Sequence, residues 1–420
     1  MVMNLMLTLL GLWIVFEVLS YFLVVTLRKR FQWLITPKDE IPEIKKEALD
    51  KFLKHGYDPE LGWVRKPNTS KVEYGRYTVS ERNHVNEINT GETMYHINND
   101  GARLNTGHED LPKTISCYGD SFAFCRQVND GETWEWYLSE LTKTNVLNWG
   151  VGNYGIDQAL LRLKREYPKN PTNIVIMGVV PSTIVRNWSV WKHYHEYGNI
   201  FGFTPRFKIV DGKLILIKNI IDTEERFYRL EEYVGELRKR DCFYETKFKK
   251  EMIKFPYSIS ILKNARRNIP LISLVALSAI FEKLGLATHK FDDLAMDFIM
   301  KRNLELRYEL FKTPEAVELL NEIIYEFVRY SKEQHFTPVL LWMPQKDDVL
   351  FVKNKEAYYS EFINEISTKL MVIDLTKKLI NAPDLNELYS SDTTYGGHFS
   401  KFGNGFIADI VYDRLEEETT

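Results

Sequence analysis

From Met1 to Leu27 the chain is an almost unbroken run of Leu, Val, Phe, Ile and Met, with one charged side chain, Glu17. About 20 apolar residues, rising 1.5 Å each, cross the hydrocarbon core of a bilayer. The run therefore predicts a membrane-spanning helix over residues 1–27. A cleaved signal peptide would begin with basic residues and end in a small-residue cleavage site. Here the start is uncharged and the run ends in Leu27-Arg28-Lys29-Arg30, so the segment reads as an uncleaved single anchor. Glu17 is costly in lipid unless it pairs or faces a partner helix, which predicts that it is protonated or set against another protein. Basic residues flanking a span stay on the cytoplasmic side, so Arg28, Lys29 and Arg30 place the body in the cytoplasm.

Residues 28–112 form a stalk and an irregular lead-in: a charged stretch from Lys38 to Lys54, then an Asn-, Gly- and Thr-rich segment from Tyr57 to Pro112. From Lys113 the periodicity alternates between strand and helix. Strands are predicted at 113–118, 145–149, 173–179, 336–343 and 371–374. Helices are predicted around Trp134, Tyr137, Leu138 and Leu141, over 156–165, and from about Ser400 to the end, where Ile407, Ile410, Val411 and Leu415 share a face. Alternation of this kind predicts a parallel sheet covered by helices on both faces. It makes 113–420 one α/β domain of three layers, flavodoxin-like in class.

The alternation breaks between about 186 and 332, which predicts an insertion, helical in its later part. Within it, 237–267 carries ten Lys/Arg against three Asp/Glu, and the apolar run Leu271 to Phe281 follows. That run is too short to span a bilayer. It reads either as a buried helix fed by a solvated basic one, or as a surface leaning on anionic lipid heads beside the anchor.

The 420 residues are 44 % hydrophobic and 27 % charged, a composition for a folded body with a core. With 55 basic against 58 acidic residues the net charge is −3, so bulk electrostatics give no reason to expect a nucleic acid as partner. Three cysteines, Cys117, Cys125 and Cys242, exclude a disulfide-built scaffold. There is no phosphate- or dinucleotide-binding glycine pattern and no metal-ligand set, so neither metal nor organic cofactor is expected. His193 and His195 could share one face of a strand, but no third ligand accompanies them. Trp188, Trp191, Tyr194 and Tyr197 read as core, with a sugar or acyl-chain platform as the other option.

One constellation carries chemistry. A predicted strand runs into Gly119-Asp120-Ser121-Phe122, and Gly397-His398-Phe399-Ser400 opens the last helix. In an open parallel sheet, functional groups gather outside the carboxyl ends of the strands. A serine there is a weak nucleophile until a base removes its proton, and a histidine on the same rim is such a base.

The segment Ile115-Ser116-Cys117-Tyr118-Gly119-Asp120-Ser121-Phe122 resembles the first block of the SGNH (GDSL-type) hydrolases. Residues 146–158, from Val146-Leu147-Asn148 through Gly150, Gly152, Asn153 and Gly155 to Gln158, resemble the second, and His398 with Phe399-Ser400-Lys401-Phe402-Gly403-Asn404 the last. The lead-in motifs Asp58-Pro59-Glu60-Leu61-Gly62-Trp63 and Asn98-Asn99-Asp100-Gly101-Ala102-Arg103 also resemble family members. The likeness covers about 57–185 and 336–415. It implies an SGNH hydrolase fold, with Ser121 as nucleophile, His398 as base, and Gly119 and Asp120 holding the nucleophile turn. In the family the oxyanion is held by the serine N–H, a glycine of the second block and an asparagine of the third.

The chain departs from that pattern at three places. Asn153, with Gly152 before it, stands where the second-block glycine is usual; Ser182 stands at the third-block asparagine; and Tyr395 stands where the orienting aspartate is usual. Asp392 is the nearest carboxylate to His398 and the candidate third member, while the Asn153 amide is the candidate replacement donor beside Gly152 and Ser182. The implied function is a serine esterase acting on an acyl or acetyl ester of a membrane-associated or cell-surface glycan or lipid. The alternatives are an O-acyltransferase on a glycan, or a non-catalytic binding or scaffold protein.

Overall fold

Apolar runs bounded by turn residues place five strands side by side: β1 (Ile115–Gly119), β2 (Val146–Asn148), β3 (Ile174–Val179), β4 (Thr337–Trp342) and β5 (Met371–Asp374). The computed structural model describes residues 2–29, 41, 44–74, 92–196, 199–390 and 397–419. The strands are all parallel and lie in the order β5-β4-β3-β1-β2. This is the flavodoxin-like order, which the alternating sequence led us to expect. Register is continuous across the middle: Cys117 pairs with Ile176, which pairs with Val339.

Because successive side chains point to opposite faces, each strand feeds two cores. Cys117, Ile176, Val339 and Leu341 pack on one face with Trp134 and Leu138 of α3 (Trp134–Thr142) and with Ile407, Ala408 and Val411 of α9 (Lys401–Thr419). Tyr118 points to the other face, where it stacks on Trp149 at 6.1 Å, and α4 (Ile156–Glu166) and α8 (Pro314–Gln334) cover that side. The lead-in adds an antiparallel pair, Thr69–Tyr74 with Glu92–Ile97. Arg103 bridges Ile97 to Asn148 at the end of β2.

The chain divides into two compact units. The sheet unit comprises Asp50–Trp188, Thr204–Glu224 and Met300–Thr420. Residues 186–332 contribute to both units: the hairpin Arg206–Val210 with Lys213–Ile217, and helix α8, belong with the sheet.

The second unit comprises Met1–Leu49, Ser189–Phe203 and Glu225–Ile299. Its first element, α1 (Val2–Arg28), is 27 residues long and apolar enough to cross a membrane. Only Glu17, Ser20, Val24 and Leu27 of α1 are buried, one stripe along its later half. That stripe meets α5 (Tyr257–Lys263) and α6 (Ala265–Lys283): Val24 and Leu27 pack with Ile253, Leu271, Ile272 and Val275. Glu17 accepts hydrogen bonds from the Ser258 amide at 2.9 Å, the Ser258 hydroxyl at 2.6 Å and the Tyr257 amide. The carboxylate is thus set against a helix of the same chain and not against another protein. Elsewhere in this unit Asp241 Oδ2 accepts from Ser189 Oγ at 2.7 Å and from the amides of Val190 and Trp191 at 2.8 and 3.1 Å. Trp191 and Tyr194 are core residues here, with Trp191 stacked on Phe203 at 5.1 Å. His193 lies in a short 3-10 turn, Lys192–Tyr194, not on a strand, and burial pushes its imidazole down to about 4. The three-residue turn period replaces the two-residue period that would have aligned His193 with His195.

Candidate active site

The end of β1 is pressed against β3. A Cβ on Gly119 would stand 2.0 Å from the Gly178 carbonyl oxygen and 2.8 Å from Ala123 Cβ, so only glycine allows the chain to turn there. The turn delivers Ser121 as the first residue of α2 (Ser121–Phe124), a single helical turn. Asp120 caps it, with Oδ1 accepting the Phe122 amide at 2.8 Å. The other Asp120 oxygen accepts from Arg186 Nη1 at 2.5 Å, and the same nitrogen donates to the Tyr154 carbonyl at 2.8 Å. At the far end of α2, Arg103 donates to the carbonyls of Phe124, Cys125 and Val128 at 2.6, 2.7 and 2.7 Å. The Phe124 carbonyl is one that the helix end leaves without an internal partner, and the other two belong to the turn that follows it.

Ser121 and His398, separated by 277 positions, meet at 2.7 Å between Oγ and Nε2. Both are largely sequestered, with relative exposures of 9 % and 4 %. The imidazole rests on the Phe122 ring, centroids 4.7 Å apart. Its backbone is tied on both sides: the His398 amide donates to Gln127 Oε1 at 3.3 Å, and its carbonyl accepts the Ser390 amide at 2.7 Å. Gln127 Oε1 also accepts from the Ser390 hydroxyl. An alcohol hydrogen-bonded to an imidazole nitrogen is the arrangement in which a base can take the alcohol's proton as it attacks a carbonyl. Asp392, the candidate orienting acid, and Tyr395 lie outside the described residues, as does Tyr197 of the aromatic cluster.

The second-block loop is anchored to the same turn. Asn148 Nδ2 donates to the Ala123 carbonyl at 2.8 Å and Asn148 Oδ1 accepts the Gly150 amide at 3.0 Å. A Cβ on Gly150 would stand 2.3 Å from the Phe124 nitrogen, so the loop lies directly on α2. Gly152 faces the serine: a Cβ there would be 3.9 Å from Ser121 Cβ. Its carbonyl accepts from Trp63 Nε1 at 3.0 Å, which fixes the peptide from behind. Asn153 follows with φ +70°, the left-handed region that glycine and asparagine tolerate best. Ser182 caps the turn Thr183–Arg186 just past β3, and its buried hydroxyl has no hydrogen-bond partner among the described residues.

The two cysteines near the serine, Cys117 and Cys125, are buried. Burial pushes both the Cys117 and Cys125 thiols well above their usual range, and a neutral thiol attacks poorly. Cys125 Sγ donates to Glu135 Oε2 at 3.4 Å, and burial pushes the Glu135 carboxyl up to about 8. Among the described residues no group of His, Cys, Asp and Glu side chains is arranged to hold a metal ion.

Three functional neighbours were invisible in the sequence. Arg186 stood at the edge of the expected insertion with nothing to tie it to Asp120. Gln127 sits in an unremarkable loop. Arg103 lay in a motif of the lead-in, but its role at the end of α2 needs three carbonyls that only the fold collects.

No protein-family model matches the chain, and no curated protein matches it. Among solved structures it is similar to a lipolytic protein of the G-D-S-L family from Desulfitobacterium hafniense DCB-2, at 12 % identity and a TM-score of 0.34, covering 72 % of this chain and 99 % of that one. It is similar also to the lipase/acylhydrolase from Enterococcus faecalis, at 12 % identity and a TM-score of 0.31, covering 73 % and 96 %. A third is the acetyl xylan esterase AlAXEase, at 13 % identity and a TM-score of 0.31, covering 71 % and 98 %.

Proposed function

We propose that this protein is a serine-dependent ester hydrolase of the SGNH type, tethered to a membrane by α1. The observation that carries the reading is the 2.7 Å hydrogen bond between Ser121 Oγ and His398 Nε2 at the carboxyl edge of the sheet. Ser121 Oγ attacks the ester carbonyl while His398 takes its proton. The tetrahedral oxyanion is held by the Ser121 amide, the Gly152 amide and the Asn153 side chain. Collapse expels the alcohol, which receives the proton from His398. Water, deprotonated in turn by His398, then releases the acyl group and frees Ser121. Donors fixed before the reaction stabilise that oxyanion without reorganising, and the Trp63 bond to the Gly152 carbonyl holds the Gly152–Asn153 peptide next to that amide. Asp392 is the proposed third member, orienting His398. No step in this sequence calls on a metal or an organic cofactor.

The substrate class is an acyl or acetyl ester on a glycan or lipid presented at the membrane, and α1 is the reason for that choice. If a sugar hydroxyl replaces water in the second step, the same groups make an O-acyltransferase. A non-catalytic binding role draws support from Ser182, which lacks the amide a third-block asparagine would offer the oxyanion.

The decisive experiment is labelling with a fluorophosphonate probe, followed by hydrolysis of acetyl, butyryl and longer-chain esters. Labelling that disappears in Ser121→Ala supports the catalytic reading, and a folded wild-type protein that never labels overturns it in favour of binding. A reporter fused after Thr420 tests the expected cytoplasmic side.

A further inference from the structure

The second unit carries an apolar surface that is left exposed among the described residues. On α5 and the turn before it, Phe255, Ile259 and Leu262 are 66 %, 42 % and 58 % exposed. On α6 and at its C-cap, Ile269, Leu277, Ile280 and Leu284 are 48 %, 40 %, 51 % and 66 % exposed, spaced so as to fall along one side of the helix. Exposed cations stand among them at Lys254, Lys263 and Arg266. Apolar residues rimmed by Lys and Arg on a short helix are the composition of a segment lying in the plane of a membrane interface.

The position of α1 says what covers this surface. Residues Val2–Phe16 are exposed all round and need hydrocarbon on every side. At 1.5 Å per residue they reach about 22 Å, most of the ~30 Å hydrocarbon core. Glu17 is the next residue, and from there one stripe of α1 turns onto protein. Its carboxylate is spent on Tyr257 and Ser258, and Tyr21 meets Tyr257 at 5.3 Å between ring centroids. The first turn of α5 is therefore locked to α1 at the level where α1 stops being exposed on every side, while Val18, Leu19 and Phe22 still face outward. Tyrosines are favoured at that level too.

We propose that α5 and the exposed side of α6 lie in the bilayer interface, forming a second membrane contact beside α1. Phe255, Ile259, Leu262 and Ile280 enter the upper acyl region, and Lys254, Lys263 and Arg266 meet acidic headgroups. The unit is then held at two places instead of swinging from a single helix. The proposal rests on α1 crossing the membrane.

The test is spin-label depth measurement on the full chain, purified and reconstituted into vesicles of phosphatidylethanolamine and phosphatidylglycerol. With Cys242→Ser as background, single cysteines are placed at Leu12, Ile259, Leu262, Ile280 and, as an aqueous reference, Lys239. Circular dichroism confirms folding of each variant. The expected result is oxygen collision well above nickel-chelate collision at Ile259, Leu262 and Ile280, at depths shallower than Leu12. If Leu12 lies in hydrocarbon while these three match Lys239, the interfacial contact is overturned and the anchor stands. If Leu12 also matches Lys239, the anchor reading fails and takes the contact with it.

Discussion

Arg186 Nη1 is shared between Asp120 Oδ2, at 2.5 Å, and the carbonyl of Tyr154, at 2.8 Å. One guanidinium thus joins the residue preceding Ser121 to the residue following Asn153. Ser121, Gly152 and Asn153 are proposed to hold the same oxygen, so their spacing depends on that link. Displacing one group by about 1 Å can cost on the order of a hundredfold in rate. Arg186→Gln is therefore expected to lower kcat by about ten- to a hundredfold with little change in KM. Ester kinetics measure the split; a purely structural role would instead lower the melting temperature and leave kcat near wild type.

Asn153 sits at φ +70°, where glycine is at least as comfortable. Asn153→Gly therefore removes the side chain without straining the loop and isolates the amide. If the amide replaces the donor that Ser182 cannot supply, turnover falls by about 100- to 1,000-fold while fluorophosphonate labelling persists at a reduced rate. A variant as fast as wild type would remove Asn153 from the mechanism.

Gly150 lies against backbone, with the space for a Cβ only 2.3 Å from the Phe124 nitrogen. Backbone cannot rotate aside as a side chain can. Gly150→Ala is expected to destabilise the sheet unit by at least about 1–3 kcal/mol, read from the shift in a urea midpoint. Activity is expected to fall with it, because the atoms displaced are those of α2.

The Glu135 carboxyl gives the sheet unit a pH dependence of definite sign. Burial pushes it up to about 8 from an ordinary value of 4.5. Between those values the folded chain holds a proton that the unfolded chain has lost. The folded state therefore loses stability as pH rises through that window, by up to about 1.4 kcal/mol per pH unit from this group. Glu135→Gln keeps the shape and removes the titration. Denaturant unfolding from pH 5 to 8 is expected to be flatter in the variant, and an unchanged slope would show that Glu135 is not the group responsible.

The sheet was legible because its strands are buried on both faces and so appear as short apolar runs between turn residues. Met371–Asp374 falls where the sequence put it, and Ile115–Gly119 and Val146–Asn148 lie within a residue or two. Ser121 and His398 were legible from their flanks: Ser121 lies just past Gly119 at the end of a strand, and His398 follows Gly397 just before the last helix. The Arg186 clamp was not, because an ion pair across 66 positions leaves no periodic trace. The composition of the second unit was hidden too. Glu17 looked like a liability in an apolar run, and only the fold shows Ser258 and Tyr257 arriving 240 residues later to meet it. The short turn Lys192–Tyr194 carries no strand pattern strong enough to have decided its period in advance.

The 277 positions between Ser121 and His398 bear on how the molecule can be monitored. No local element can bring the two together; β2, β3, β4 and β5 all lie between them in the chain. Under the proposed function, organophosphorus labelling at Ser121 requires both of these distant segments to be in place. Recovery of labelling after dilution from urea is then expected to report the meeting of Ser121 and His398.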